Sequence, residues 1–147
     1  MDEEFIQYLN RDDVQTALHV RKQKYEPLAD KVYFNLYEDR YKTVKPWLEE
    51  LLEHYGVMCF SGQLDMIVAY ALSVHTYRSL KWSGAKKYLN ASRIPIYDSD
   101  NDEKVNSFIK SNGNFWDVMV RGAGHMVPTD KPRAAKQILD LFIKEFQ

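Results

Sequence analysis

The hydrophobic positions of the chain alternate between helical spacing and short, continuous apolar runs. One helix follows Thr43, which is placed to cap it, and Gly56 ends it. A final helix starts after Thr129 or Asp130 and extends to the C-terminus. Both helices carry an apolar stripe of the kind that packs on a sheet: Val44, Trp47, Leu48, Leu51, Leu52 and Tyr55 in the first, and Ala135, Ile138, Leu139, Phe142 and Phe146 in the second.

Two apolar runs, Val57–Phe60 and Phe115–Val120, are typical of buried strands. The spacing predicts a helix over 66–79 and a short helix over 105–110 that ends at Asn112-Gly113, with strand pairing near 94–97. This alternation predicts an α/β fold with parallel strands flanked by helices. Because a parallel sheet needs more neighbours and two covered faces, the sheet is expected to be incomplete in this chain.

The N-terminal residues predict smaller elements. Glu3–Leu9 is expected to be a helix, followed by a second helix capped by Asn10 or Asp12. Residues 22–41 predict a short helix and a loop. With 147 residues and no internal repeat or low-complexity segment, we interpret residues 1–147 as a single domain.

Each predicted strand is followed by one titratable side chain. Asp65 comes five residues after Phe60, and His125 comes five residues after Val120. In open α/β sheets functional groups collect beyond the carboxyl ends of strands, and neighbouring strands are roughly 5 Å apart. We therefore expect the carboxylate and the imidazole to meet, as the acid and base of a hydrolase triad do.

Plainer interpretations of the same residues stay open on spacing alone. An aspartate before a helix is often only an N-cap, and a histidine between glycines and a proline is often only a polar loop residue. His19, His54 and His75 have no partner at a spacing that would indicate a catalytic or metal site, so we expect them to have surface or packing roles. Cys59 lies in an apolar run, which favours a buried small side chain over a catalytic thiol.

Composition narrows the function classes further. Charged residues make up 28% of the chain and the formal net charge is −1, which gives no footprint for nucleic acid or an anionic membrane. No apolar stretch approaches the roughly 18 residues of a membrane span, and the N-terminus is not a signal peptide. Neither a metal-ligand cluster nor a phosphate-binding loop is present, so we expect no cofactor. Asn90-Ala91-Ser92 is a possible N-glycosylation site.

The two loops resemble those of the serine carboxypeptidase family of the S10 type. Residues 61–65 (Ser-Gly-Gln-Leu-Asp) resemble its Asp loop, and residues 122–128 (Gly-Ala-Gly-His-Met-Val-Pro) resemble its His loop. The resemblance is greatest to the vitellogenic-like carboxypeptidase branch. It continues in family order through four further segments, and so covers nearly the whole chain: 13–20, 44–48, 81–84 and 129–135.

This resemblance implies the C-terminal part of an α/β-hydrolase fold, with Asp65 as the triad acid and His125 as the general base. It also implies that Met126 lies near the leaving residue of a peptide substrate. The reaction implied is release of a C-terminal amino acid through an acyl-enzyme. The resemblance implies a lysosomal, vacuolar or secreted location. A glycan on Asn90 would be consistent with that location.

The resemblance stops at the nucleophile, because no Gly-x-Ser-x-Gly occurs in the chain and Ser61 lacks the strand-to-helix elbow. We therefore expect the chain to be inactive alone and to need an upstream chain or segment that carries the serine. It is then a processed chain, a truncated product, or a non-catalytic relative that binds peptides or a partner. The starting Met1 favours a separately expressed chain. Acyl transfer is a related alternative, and an unpaired strand edge predicts a possible homodimer.

Overall fold

A computed structural model describes residues 3–27, 29–98 and 101–147. Residues 1–2, Leu28 and residues 99–100, on which parts of the predictions above fall, lie outside this description. Contacts divide the chain into two compact units, residues 1–43 and 44–147. The assignment of 1–147 to one domain stays a prediction, and each unit is described here by itself.

The first unit consists of short helices joined by side-chain hydrogen bonds to the backbone. Asn10 does not cap the second helix as predicted, since that N-cap is Arg11. Instead the Asn10 side chain donates to the carbonyl oxygens of Ile6 and Tyr25 and accepts the Tyr25 N–H. The elements are α1 (Glu3–Leu9), α2 (Asp12–Ala17), α3 (Asp30–Asn35) and a 3₁₀ turn (Asp39–Tyr41).

The second unit contains a four-stranded sheet with helices on both faces. Its strands are β1 (Val57–Gly62), β2 (Arg93–Asp98), β3 (Asn101–Asn112) and β4 (Phe115–Val120). Its helices are α4 (Lys45–His54), α5 (Tyr70–Arg78), α6 (Ala85–Asn90), α7 (Val127–Asp130) and α8 (Pro132–Glu145). The sheet order is β1-β4-β3-β2.

The two predicted buried strands are neighbours. β1 and β4 pair in parallel, with Val57 opposite Phe115 and Gly62 opposite Val120, which confirms the predicted parallel pair. The other two strands are antiparallel to their neighbours, so the sheet is mixed. β1 and β2 form the two edges of the sheet within the described residues.

The predicted helix over 105–110 is wrong, because these residues lie in β3. Val105, Phe108 and Ile109 have helical spacing, but Ser107 and Ile109 are buried on one face at the period of a strand. A two-residue turn then joins β3 to β4, and Gly113 adopts a positive φ of 50° within it. Pairing with strands on both sides overrides the local helical pattern.

The side chains of β4 alternate between the two faces of the sheet and contribute to a hydrophobic core on each face. Val118 and Val120 pack toward α8 with Ile109, Ala123, Val127, Ala134 and Ile138. Phe115 packs on the opposite face with Leu52, Leu80 and Tyr88. Edge-to-face contacts join its ring to Tyr77 and Tyr88, with centroids 5.2 and 5.0 Å apart. A sheet covered on both faces holds the ends of β1 and β4 in fixed positions.

Helix boundaries differ from the predictions where side chains have other partners. The N-cap of α4 is Val44 instead of Thr43, and that of α8 is Lys131 instead of Thr129 or Asp130. The helix predicted over 66–79 begins only at Tyr70. The intervening residues belong to the turn described next.

Candidate active site

Two loops meet at the carboxyl ends of β1 and β4. The first runs from Gly62 to Asp65 and the second from Gly122 to Pro128. The Asp65 Oδ2 atom lies 2.9 Å from the His125 Nδ1 atom. This contact confirms the geometric expectation from strand-end placement, across 60 positions of sequence.

The carboxylate of Asp65 divides its two oxygens between two tasks. Oδ1 accepts the backbone N–H of Ile67 at 2.8 Å and of Val68 at 2.9 Å. Oδ2 is thereby aimed at His125. Asp65 is thus both a capping residue of the turn and the partner of the histidine. The plain and the catalytic interpretations are compatible because they use different atoms.

Backbone hydrogen bonds join the two loops directly. The Gln63 N–H donates to the Val120 carbonyl at 2.9 Å, and the Leu64 N–H donates to the Ala123 carbonyl at 2.8 Å. The Gln63 side chain adds a third bond between the loops, since its Oε1 accepts the Gly122 N–H at 3.1 Å. These bonds hold the residues that lead into Asp65 against the residues that lead into His125.

Glycines allow this close approach. A Cβ atom on Gly62 would lie 2.1 Å from the Gly124 carbonyl oxygen and 2.4 Å from that of Ala123. Gly122 adopts a positive φ of 69° after β4, a backbone conformation that glycine takes without strain. Asp130 Oδ2 accepts the Gly124 N–H at 2.7 Å and holds the far side of the loop.

The His125 side chain is much more exposed than that of its acid partner. The Asp65 side chain is only 5% exposed, whereas that of His125 is 46% exposed. Because Nδ1 faces Asp65, Nε2 on the opposite side of the ring is available to a proton donor or acceptor. An imidazole held in this way can take a proton from a hydroxyl and pass it on. Met126 follows directly, with 61% of its surface exposed.

The remaining residues of interest lie away from this pair. Asn90 is exposed at the end of α6, and its Nδ2 donates to the Lys86 carbonyl. His54 contacts Glu50 on one face of α4, and His19 and His75 are exposed. Burial raises the pKa of the Cys59 thiol, which makes it a poor nucleophile. Among the described residues no three His, Cys, Asp or Glu side chains converge as metal ligands would, and no helix is long and apolar enough to cross a membrane.

Two residues that position the loops were not predicted. Gln63 was identified only as part of a motif, and Asp130 only as a helix cap. Gln63 accepts the N–H of Gly122 in the other loop, and Asp130 accepts the N–H of Gly124, six residues earlier. The sequence pattern does not predict which backbone amide a side chain will bind. Asp117 was also not identified, because it lies in a run that we interpreted as apolar. A fully buried aspartate inside a strand is rare, and this rarity could have drawn attention to it.

The Asp65 carboxylate makes a pH-dependent contribution to stability. The hydrogen bonds from the Val68 N–H, His125 and the Ile67 N–H hold its pKa below the ordinary value of 3.8. A lowered pKa in the folded state means that the contribution is present above the unfolded value and is lost as the pH falls through the folded value. We expect the free energy of unfolding, measured with urea from about pH 6 to pH 3, to fall more steeply in the wild type than in Asp65→Asn. Parallel curves would contradict this assignment.

Comparisons with known proteins agree with this geometry. The family model described as serine carboxypeptidase, Peptidase S10, matches residues 1–145. The mouse (Mus musculus) probable serine carboxypeptidase CPVL is 38% identical over 141 residues, which are 95% of this chain and 29% of that protein. The vitellogenic carboxypeptidase of Aedes aegypti is 34% identical over 143 residues, which are 96% of this chain and 30% of that protein.

A solved carboxypeptidase structure also resembles this chain. The crystal structure of Kex1(delta)p, a prohormone-processing carboxypeptidase from Saccharomyces cerevisiae, aligns with a TM-score of 0.76 and 26% identity. The alignment covers 93% of this chain and 30% of that one. The fold is therefore that of part of an α/β-hydrolase, and the chain spans about 30% of the length of these relatives. The chain belongs to the serine carboxypeptidase family.

Proposed function

We propose that this chain supplies the acid and the base of a Ser-His-Asp triad that releases C-terminal amino acids from peptides. The observation that carries the proposal is the 2.9 Å contact between Asp65 Oδ2 and His125 Nδ1, in a histidine whose side chain is 46% exposed. In this role Asp65 holds the proton on Nδ1 and stabilises the imidazolium that forms during the reaction.

The reaction then follows from the position of Nε2. His125 takes the proton of a serine hydroxyl as the serine oxygen attacks the carbonyl carbon of the last peptide bond. It gives that proton to the departing amine as the C–N bond breaks, which leaves an acyl-enzyme. A water molecule, deprotonated by the same nitrogen, hydrolyses the ester and restores the serine.

The serine itself must lie outside these residues. No Gly-x-Ser-x-Gly occurs in the chain, and members of a triad act as a unit. The proposed partner is an upstream chain or segment that carries the nucleophile. Apolar side chains next to the pair support such a partner, since Met66 is 92% exposed and Leu64 and Ile67 are also exposed.

Met126 is proposed to contact the leaving residue of the peptide substrate, because it is exposed and adjacent to His125. A lysosomal, vacuolar or secreted location is part of the same proposal. The exposed amide of Asn90 in Asn-Ala-Ser is suited to a glycan in such a compartment. One relative at 35% identity is named a venom serine carboxypeptidase, from Apis mellifera.

A second candidate is a non-catalytic protein that binds peptides or a partner. The observation that favours it is the edge of β1, which has no neighbouring strand among the described residues. Such an edge can accept an extended peptide, an upstream segment or a second copy of the chain. In this case the Asp65–His125 contact would be retained without a reaction.

A fluorophosphonate probe, which reacts with activated serines, separates these functions. The purified 147-residue chain is expected to remain unlabelled. In the natural protein that contains it, the label is expected on a serine outside these residues, identified by mass spectrometry. Stoichiometric labelling of Ser61, or of any other serine in the chain, would overturn the proposal. A natural protein without any labelled serine would favour the binding function.

A further inference from the structure

A buried carboxylate lies in the middle of β4, away from the proposed active site. Asp117 is 0% exposed. The hydroxyl of Tyr70 donates to it, with the oxygen 2.9 and 3.1 Å from the two carboxylate oxygens. The hydroxyl of Tyr88 donates to Oδ2 at 2.9 Å, and the Arg93 guanidinium lies 3.6 Å from the same oxygen.

Both phenols remain proton donors in this cluster. Burial, together with the negative charge of Asp117, raises the pKa of Tyr70 and of Tyr88 well above the usual value. Arg93 donates a hydrogen bond to the Tyr70 oxygen and lies over its ring, 5.1 Å from the centroid. The Tyr70 side chain is therefore held from two directions, by β4 and by the edge strand β2.

The position of Tyr70 in the chain connects this cluster to the acid. Tyr70 is the first residue of α5 and follows the turn in which Asp65 Oδ1 binds the amides of Ile67 and Val68. The loop that carries Asp65 thus leaves the end of β1 and is anchored again on β4 by the phenol. The same strand, β4, leads directly into the loop that carries His125.

Tyr88 provides a comparison within the cluster. It binds the same carboxylate but lies in α6, after the Asp65 loop and α5. A buried carboxylate is weak evidence for a role in stability, because apolar residues of similar volume often replace buried ionic groups without loss. The distinguishing property of the Tyr70–Asp117 contact is that it ties the start of α5 to β4, the strand that leads into the His125 loop.

We propose that Tyr70, anchored by Asp117, is a positioning residue that holds the Asp65 carboxylate against His125. This inference rests on the proposed function, since it gives a purpose to the exact placement of Asp65. Without the phenolic hydroxyl the exit of the loop is free to move, and Oδ2 leaves Nδ1 for part of the time. The proton on the imidazole then moves from Nδ1 to Nε2, where it blocks the base.

The test compares Tyr70→Phe with Tyr88→Phe in the natural protein. Each variant removes one hydroxyl bound to Asp117, but only Tyr70 directly follows the turn that Asp65 caps. Nitrogen NMR of the His125 ring reports which nitrogen carries the proton, and kinetics report kcat and KM. We expect Tyr70→Phe to reduce the Nδ1–H form and to lower kcat about tenfold at unchanged KM, less than the roughly 100-fold loss that a full 1 Å misplacement can cause. Tyr88→Phe is expected to change neither.

Other outcomes separate failure of the Tyr70 inference from failure of the proposed function. Equal effects of the two variants on the ring proton, or no effect of either, would overturn the positioning role. A second variant, Arg93→Gln, weakens the hold on the same phenol from a part-exposed position and is expected to act in the same direction as Tyr70→Phe. Asp65→Asn is the reference: if it leaves the ring proton and kcat unchanged, the proposed function itself fails. If it changes both while Tyr70→Phe changes neither, only this inference fails.

Discussion

Asp65→Asn is expected to lower kcat for release of a C-terminal amino acid by about 10⁴-fold in the protein that carries the nucleophile, the size of loss seen when a triad acid becomes an amide. The substitution is nearly isosteric. Its Oδ1 atom can still accept the amides of Ile67 and Val68, so the turn is retained. The amide nitrogen, however, is a donor that faces His125 Nδ1 and places the ring proton on Nε2. The base is then blocked while the fold is preserved.

The measurement is hydrolysis of a blocked dipeptide under saturating conditions. Asp140→Asn serves as the matched control, because Asp140 is exposed on α8 and pairs with Lys136, four residues earlier. It is expected to change kcat less than twofold. Retention of more than about a tenth of the wild-type kcat in Asp65→Asn would show that Asp65 does not orient the base.

Gly62→Ala is expected to have the largest effect on stability, a loss of about 3 kcal/mol in the free energy of unfolding. The added Cβ would lie 2.1 and 2.4 Å from two backbone carbonyl oxygens of the His125 loop. Backbone atoms cannot rotate away as a side chain does. The loops must therefore separate, and the Leu64 N–H bond to the Ala123 carbonyl is lost with them.

Gly113→Ala provides the contrast for this prediction. Gly113 has a positive φ of 50°, but nothing lies within 4 Å of its Cβ position. Its cost is therefore conformational strain alone, about 1 kcal/mol. Urea unfolding of both variants gives the comparison. Similar losses for the two substitutions would show that the loops can move apart without cost, contrary to the fixed geometry described above.

Sequence patterns were sufficient for the strands that carry the site. Val57–Phe60 and Phe115–Val120 are largely apolar runs, and such runs indicate strands. β4 is mostly buried, as predicted, whereas β1 lies at the sheet edge and is only part-buried, with Phe60 exposed. Once these two were placed side by side, the Asp65–His125 contact followed from the geometry of parallel strand ends. Family resemblance gave each residue its expected role.

Residues 101–112 show why the rest could not be predicted in the same way. Val105 and Ile109, four residues apart, lie on one face of either a helix or a strand, and pairing with β2 and β4 decides between them. The contact between Tyr70 and Asp117 joins residues 47 positions apart on different elements. Local spacing carries no information about such a pair, and it becomes visible only when the sheet is assembled.

Fluorophosphonate labelling of the natural protein beside its His125→Gln variant, with the labelled peptide sequenced, tests whether Asp65 and His125 serve a serine outside this chain. We expect one labelled serine, in a Gly-x-Ser-x-Gly segment outside these 147 residues, and loss of that labelling in the variant. A label on a serine of this chain, or labelling at the wild-type rate without His125, would contradict it.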